Sequence, residues 1–379
     1  MRLTNLPVEF KKARPVLQRV ERAGYQAYFV GGSVRDTIIG VPIHDVDITS
    51  SAYPQEIKKL FPRTVDTGIK HGTVMVLYHG NGYEITTFRT ESGYQDYRRP
   101  DHVTFVRSLP KDLKRRDFTI NALAMRENGE VTDLFDGLGD IKRKVIKAVG
   151  DPNRRFHEDA LRMMRAVRFA SKLDFRIEPK TLAAIKKYSF LLTKIAVERV
   201  HSEFVKMMMG MKPRMGLNYM IETNLYRYVP GFKNHLDALK RISAIPNLTL
   251  SNEAQVWSLI SYEFGLNRHQ INRLLKKWKS ADKIIDDTVI ITRTLSAIHD
   301  RKLTPFLIYQ AGLLDFWMPI IWQLYWGLVI NGGILIKQRV LAPGPKLGKV
   351  INQLELMVIN RQIPNQDSAL LTAAKKLSK

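Results

Sequence analysis

Cysteine is absent from the 379 residues of this chain. That excludes a disulfide framework and any thiolate metal site, and a reducing, cytoplasmic setting is expected. Acidic residues are scarce: 36 Asp and Glu stand against 60 Lys and Arg, a formal net charge of +24. The excess goes beyond what solubility requires and points to a polyanion such as nucleic acid, although a merely basic surface gives the same count. The N-terminal MRLTNLPVEFKKARP has no apolar stretch of signal-peptide length. Regular internal repeats and low-complexity segments are missing, and so are the P-loop and dinucleotide-binding glycine signatures. One uncharged run, FWMPIIWQLYWGLVINGGILI at 316–336, reaches the ~18 residues of a membrane span. Pro319, Gln323, Asn331 and Gly332-Gly333 interrupt it and Asp315 abuts it, so it reads as buried helix and no membrane association is expected.

The length suits two to four domains. The first 150 residues read as mixed α/β. AYFV (27–30) is a short apolar strand, HDVDITS (44–50) alternates with period two, and TVMVLY and YEITTFR are strands joined by HGNG. VTFVRSL (103–109) has the look of a further strand, and DFTINALAM (117–125) has helical spacing. From Phe156 onward the pattern is helical, with RFHEDALRMMRAVRFASKL (155–173) the clearest helix, followed by KTLAAIKKYSFLL and AVERVHSEFVKMMMG. Pro and Gly place breaks at YVPGFKN (228–234), AIPN (244–247) and APGPKLG (342–348).

The stretch YFVGGSVRDTIIGVPIHDVDITSS, residues 28–51, carries the most chemistry. On a strand, Asp45 and Asp47 share one face while Val46 and Ile48 share the other. Two close carboxylates repel unless a divalent cation bridges them, and hard oxygen donors select magnesium or manganese; exposed carboxylates at a strand end give the same pattern. Gly31-Gly32 lets backbone approach a phosphate, with Arg35 placed to add a charge-assisted contact; a plain strand-to-helix turn is the alternative. A phosphate-cradling turn beside a metal-binding carboxylate pair suits nucleotidyl transfer. Glu84, on the YEITTFR strand, is a candidate third carboxylate.

GGSVRD, HDVDIT, RRDFTINALAM, DLFDGLGDI, GDPNRRFHEDALRMMRAVRFASKL and VERVHSEF, in this order and spacing, resemble the signature blocks of class II tRNA nucleotidyltransferases, the CCA-adding enzymes and their bacterial poly(A) polymerase relatives. The match covers roughly residues 20–210. The resemblance implies an α+β fold: a nucleotidyltransferase catalytic head with a mixed β-sheet (1–150), then an all-helical neck with a nucleotide-selecting helix (151–210), body (211–300) and tRNA-binding tail (301–379). It implies that Gly32 and Arg35 contact the triphosphate, Asp45 and Asp47 bind Mg2+ as the catalytic pair, and Arg116 contacts the nucleotide, with Asn121 near the ribose. It makes Asp159 and Arg162 the base-selecting residues, with Arg165 and Arg168 completing a basic row, and Glu198, Arg199 and Glu203 braces of that helix. The partners implied are tRNA, CTP and ATP, and some relatives form homodimers. The segment TFRTESGYQDYRRPDHV (87–103) is similar to the flexible loop of full CCA-adding enzymes.

The selecting role also follows from hydrogen-bond inventory. Asp159, Arg162, Arg165 and Arg168 recur every three residues and make a ridge on a helix, next to an apolar row of Leu161, Met164 and Val167; a solvated basic face has the same spacing. Cytosine and adenine each offer an amino donor to Asp159 and a ring acceptor to Arg162. Uracil and guanine turn an acceptor towards the carboxylate and leave buried polar groups mismatched.

The remaining motifs are weaker. His299-Asp300 lacks the partner histidines of a metal phosphohydrolase, and His44 and His71 read as structural or substrate-proximal. NRLLKKWKSADK (272–283) is a basic aromatic stretch that suits phosphates and base stacking, or a solvated helix face. The expected activity is template-independent addition of C, C and A to the tRNA 3′ end. A poly(A) polymerase is disfavoured because EDALRMMRA has alanine where that branch typically has proline, and because no long basic C-terminal tail follows. A non-catalytic tRNA-binding descendant is the rival of another class; it should have lost Asp45 and Asp47.

Overall fold

The computed structural model describes residues 1–379 apart from 96, 98, 301, 303–329, 331, 360, 361, 365 and 379. Most of the apolar run at 316–336 therefore lies outside the described residues. Among those described, no helix is long and apolar enough to cross a membrane.

The chain divides into two compact units, 1–243 with 272–280, and 244–271 with 281–379. The first unit begins with α1 (Val8–Arg22), whose buried Phe10, Ala13, Val16, Leu17 and Val20 follow helical spacing. They pack on β1 (Ala27–Val30), with the Phe10 and Phe29 rings 4.6 Å apart. After α2 (Gly32–Ile38) come β2 (Asp47–Ser50), α3 (Pro54–Leu60), β3 (Thr64–Gly68), β4 (Thr73–Tyr78) and β5 (Asn81–Thr87). A separate hairpin, β6 (Arg89–Gln95) and β7 (Arg99–Phe105), leads to α4 (Leu109–Lys114), β8 (Leu123–Met125) and β9 (Val131–Asp133). The sheet is mixed, in order β3-β4-β5-β2-β1-β8-β9. Its β2–β5 pair is parallel and the other pairs are antiparallel. All four side chains of β1 are buried, while β4 and β5 alternate, with Val74, Val76, Tyr83 and Ile85 inward.

Behind α5 (Gly137–Arg143) the chain forms the short strand β10 (Val145–Ile146), then α6 (Pro152–Glu158) and α7 (Leu161–Leu173). Strand β11 (Arg176–Ile177) pairs with β10, and α8 (Pro179–Tyr188), α9 (Val197–Met208) and α10 (Pro213–Glu222) follow. Among the described residues no strand occurs after Ile177. In the second unit, Gly332–Lys337, Pro345–Ile359 and Asp367–Ser378 are helices around Leu335, Leu354 and Leu370.

Several expectations need correction. The strand in HDVDITS starts only at Asp47, so Asp45 precedes it and the two aspartates do not share a strand face by alternation. VTFVRSL is strand only to Phe105, and Leu109 opens α4. DFTINALAM forms a 3-10 turn at Thr119–Asn121 and then β8, because a short apolar run is ambiguous in period and Leu123–Met125 completes a buried sheet against β1 and β9. The 155–173 stretch is two helices: Asp159 is extended (φ −145°, ψ 101°) and separates α6 from α7. Trp278 of NRLLKKWKSADK is fully buried against Phe204 and Phe232, with its Nε1 donating to the Pro230 carbonyl at 2.8 Å, and cannot stack on a nucleotide.

Candidate active site

The site begins where β1 runs out. Gly31 turns the chain at φ +75°, a conformation that disfavours any side chain, and a Cβ there would stand 3.5 Å from Asp47 Oδ2 and 3.6 Å from Arg116 Nη1. Arg35, one turn into α2, is 2% exposed. Its Nε and Nη2 donate to Asp36 Oδ1 at 2.8 and 2.7 Å, and its Nη1 donates to Asn121 Oδ1. Asp36 Oδ2 accepts from Lys172 Nζ at 3.0 Å, which joins α2 to the last turn of α7.

Asp47 opens β2 opposite Val30, which carries its side chain to the rim of the Gly31 turn. The residue is exposed overall, but burial of its carboxylate raises its pKa; Arg116 opposes the rise and the like charge of Asp45 adds to it. The pair offers oxygen donors only, as a hard divalent cation requires, with remaining positions left for phosphate and water oxygens. No group of three or more His, Asp or Glu side chains fit to hold a metal occurs among the described residues. Glu84 is exposed and paired with Met75, outside the cavity lining, and the exposed His299-Asp300 forms no metal group.

The RRDFTIN block supplies the opposite wall. Wholly buried Asp112 accepts from Arg115 Nη2 at 2.7 Å and from Arg116 Nη2 at 3.3 Å. Arg116 Nε is buried without a hydrogen-bond partner, which leaves one donor of this guanidinium unused. Asp117 accepts from Asn121 Nδ2 at 3.1 Å and from Arg165 Nε at 2.7 Å. Burial alone would raise the Asp117 carboxyl, but Arg165 and Asn121 prevail and hold it at about 2.

Helices α6 and α7 close the site. Asp159 Oδ1 accepts from the Leu161 N–H at 3.0 Å, so the side chain of Asp159 turns back on the break between the helices. Burial raises the Asp159 pKa, and Arg162 counteracts it. Arg162 donates to Glu158 Oε2 at 3.2 Å and to the Arg115 carbonyl at 3.0 Å. Arg168 Nε and Glu203 Oε2 form an ion pair at 2.6 Å without hydrogen-bond geometry, linking α7 to α9, whereas Glu198 and Arg199 are exposed. The hairpin tip reaches this break: the Ala160 N–H donates to the Tyr97 carbonyl at 3.0 Å, and the Tyr97 ring lies 5.7 Å from His157.

These elements surround one cavity of about 620 Å³. Gly32, Arg35, His44, Asp45, Asp47, Arg116, Asn121, Asp159, Arg162, Arg165 and Arg168 all line it. His71 stays outside and meets Arg89 through its carbonyl. The sequence reading missed Asp36, Arg89, Glu91, Arg115, Asp117, Phe169 and Lys172, which also line it. Asp117 and Arg115 sit inside the RRDF block already singled out, whereas Lys172 and Phe169 carry no signal except their place on the α7 face.

Residues 27–147 match the poly A polymerase head domain family, 174–236 a family described as a probable RNA and SrmB-binding site of polymerase A, and 248–320 with 326–374 a putative second domain of tRNA nucleotidyltransferases. The CCA-adding enzyme of Limosilactobacillus reuteri is 52% identical over the full length of both chains, and that of Pediococcus pentosaceus 50% identical over 99% of this chain and 100% of its own. The chain belongs to the CCA-adding enzyme family. Among solved structures, the Bacillus stearothermophilus CCA-adding enzyme in complex with CTP is 34% identical, covers 98% of each chain and superposes with a TM-score of 0.78. The Thermotoga maritima CCA-adding enzyme complexed with tRNA, 21% identical with a TM-score of 0.59, shares the fold. Family membership accords with a head built on a mixed sheet and a helical remainder.

Proposed function

We propose that this protein is a CCA-adding tRNA nucleotidyltransferase, which joins C, C and A from CTP and ATP to the tRNA 3′ end without a nucleic-acid template and releases pyrophosphate. One observation carries the reading: a single cavity holds an aspartate pair, a glycine turn with Arg35, and the Asp159–Arg162 pair. Full-length relatives of the same activity support it.

In this reading the base lies at the break between α6 and α7. Asp159 Oδ1 is engaged by the Leu161 N–H, and the remaining carboxylate lone pairs meet the amino group of C or A. Arg162, anchored by Glu158 and two backbone carbonyls, turns its guanidinium to the ring acceptor. Arg35, Arg116, Arg165 and Arg168 surround the triphosphate with Gly32. The RNA 3′ oxygen forms a bond to the α-phosphorus as the bond to pyrophosphate breaks. Asp45 and Asp47 would hold a divalent cation, magnesium by preference for hard oxygen donors, and that ion would supply charge neutralisation for the reaction. The lysine and arginine excess supplies affinity for tRNA.

The division into head (1–150), neck (151–210), body (211–300) and tail (301–379) goes with this reading, as do a cytoplasmic setting and a homodimer. Magnesium-dependent incorporation of CTP, then ATP, into tRNA lacking its terminal CCA tests it. Addition of A alone in long runs would favour the poly(A) polymerase alternative, and binding without incorporation the non-catalytic one.

A further inference from the structure

Phe169 sits on α7 at the centre of a charged network and is 4% exposed. The guanidinium carbons of Arg168, Arg35 and Arg165 lie 4.3, 5.0 and 5.4 Å from its ring centre. Three like charges thus gather within about 10 Å of one another, a separation at which water and salt screen them incompletely. Each has a carboxylate partner: Asp36 for Arg35, Asp117 for Arg165 and Glu203 for Arg168. Those carboxylates must share their arginines with any anion that enters. The ring does not compete for the same donors, since it attracts the cations through its π face.

We propose that Phe169 is a positioning residue for the triphosphate of the incoming nucleotide, holding the Arg35, Arg165 and Arg168 guanidiniums in place as phosphate oxygens draw them from their carboxylates. Its burial rules out stacking on a base, so it acts through the arginines. Arg35 belongs to α2, just after the Gly31 turn, and the other two to α7, so the ring also ties the helix that follows the glycine turn to α7. The base end is anchored elsewhere: Asp159 on the Leu161 N–H, Arg162 on Glu158 and the Arg115 carbonyl. Loss of the ring's electrostatics should therefore affect CTP and ATP equally and leave the choice of base alone.

The inference rests on the cavity's reading as a nucleotide site. The test replaces Phe169 site-specifically by mono-, di- and trifluorinated phenylalanine, which weaken the π face at nearly constant shape, alongside Phe169→Leu. The KM for CTP and for ATP should climb stepwise with fluorine number, reaching about tenfold in the trifluorinated protein. The ratio of CTP to UTP incorporation, kcat and the melting temperature should stay within about twofold or a few degrees of the parent. Phe169→Leu, if it folds, should raise both KM values at least as far. A flat KM series in an active parent overturns the inference and leaves Phe169 a packing residue. A series that shifts selectivity rather than KM overturns it as well. A parent that incorporates no CTP defeats the cavity reading and this inference together.

Discussion

Arg165 directs both Nε and Nη2 onto a single oxygen of Asp117, at 2.7 and 2.6 Å, while the other oxygen of Asp117 accepts from Asn121 and from the Phe118 N–H. The head block RRDFTIN is thereby fastened to α7 by a carboxylate that remains ionised to about pH 2. The folded pKa is depressed from the ordinary 3.8, so its contribution is fully present above about pH 4 and is lost as pH falls towards 2. The shift corresponds to stability on the order of 2 kcal/mol. Asp117→Asn should therefore lower the melting temperature at pH 7, with the deficit narrowing as both proteins are acidified. Urea unfolding at pH 7 and pH 3 measures this, and an equal deficit at both would refute the electrostatic account.

Asp45→Ala and Asp47→Ala should each abolish nucleotide addition while tRNA binding persists. Both side chains line the cavity, where burial and the charge of Asp45 raise the Asp47 pKa against the pull of Arg116. Retained activity of either variant in magnesium, alongside normal filter binding of tRNA, would exclude the pair as the metal site.

In the proposed site, Asp159→Ala removes the acceptor that would meet the amino group of C and A. Discrimination of CTP over UTP should fall by about ten- to a hundredfold, the equivalent of roughly 1 to 3 kcal/mol. Because burial raises the Asp159 pKa, the parent should itself lose discrimination on acidification, at a pH above the ordinary aspartate range. Single-turnover incorporation of all four nucleotides between pH 5 and 8 checks both statements, since the Asp159→Ala variant should show no such pH dependence.

Shortening the tip of the β6–β7 hairpin should spare the two C additions and slow the final A. Its Tyr97 carbonyl accepts from the Ala160 N–H, next to Asp159, so the hairpin is in place to adjust the pocket between the two bases. Equal loss at all three steps would make the hairpin a general support of the fold.

Affinity for tRNA should fall steeply between 50 and 200 mM salt, as released counterions scale with phosphates contacted. A flat profile in a fluorescence titration would leave the +24 charge without its proposed partner.

The local chemistry of this protein is written in short blocks. Gly31 must sit where the chain turns at positive φ, Asp47 must open a strand whose neighbours Ile48 and Thr49 are buried, and Arg162, Arg165 and Arg168 must share a helix face at their spacing. Those features depend on residues close in sequence, and ten of the site residues named from it line one cavity, while Glu84 lies outside it. What the sequence alone left open depends on contacts between distant segments. DFTINALAM has a helical period, yet Leu123–Met125 becomes a strand because β1 and β9 offer it hydrogen bonds and burial that a lone helix lacks. Asp159 has helical spacing, yet it is extended at the end of α6 and its side chain accepts from the Leu161 N–H. The carboxylate partners of the basic side chains on α7 were equally hidden: Asp36 lies 136 positions from Lys172, and Asp117 lies 48 from Arg165. Periodicity reports only neighbours along the chain, whereas ion pairs and aromatic contacts form between whatever the folded backbone brings within a few ångströms, so the charge network around Phe169 belongs to the tertiary structure alone.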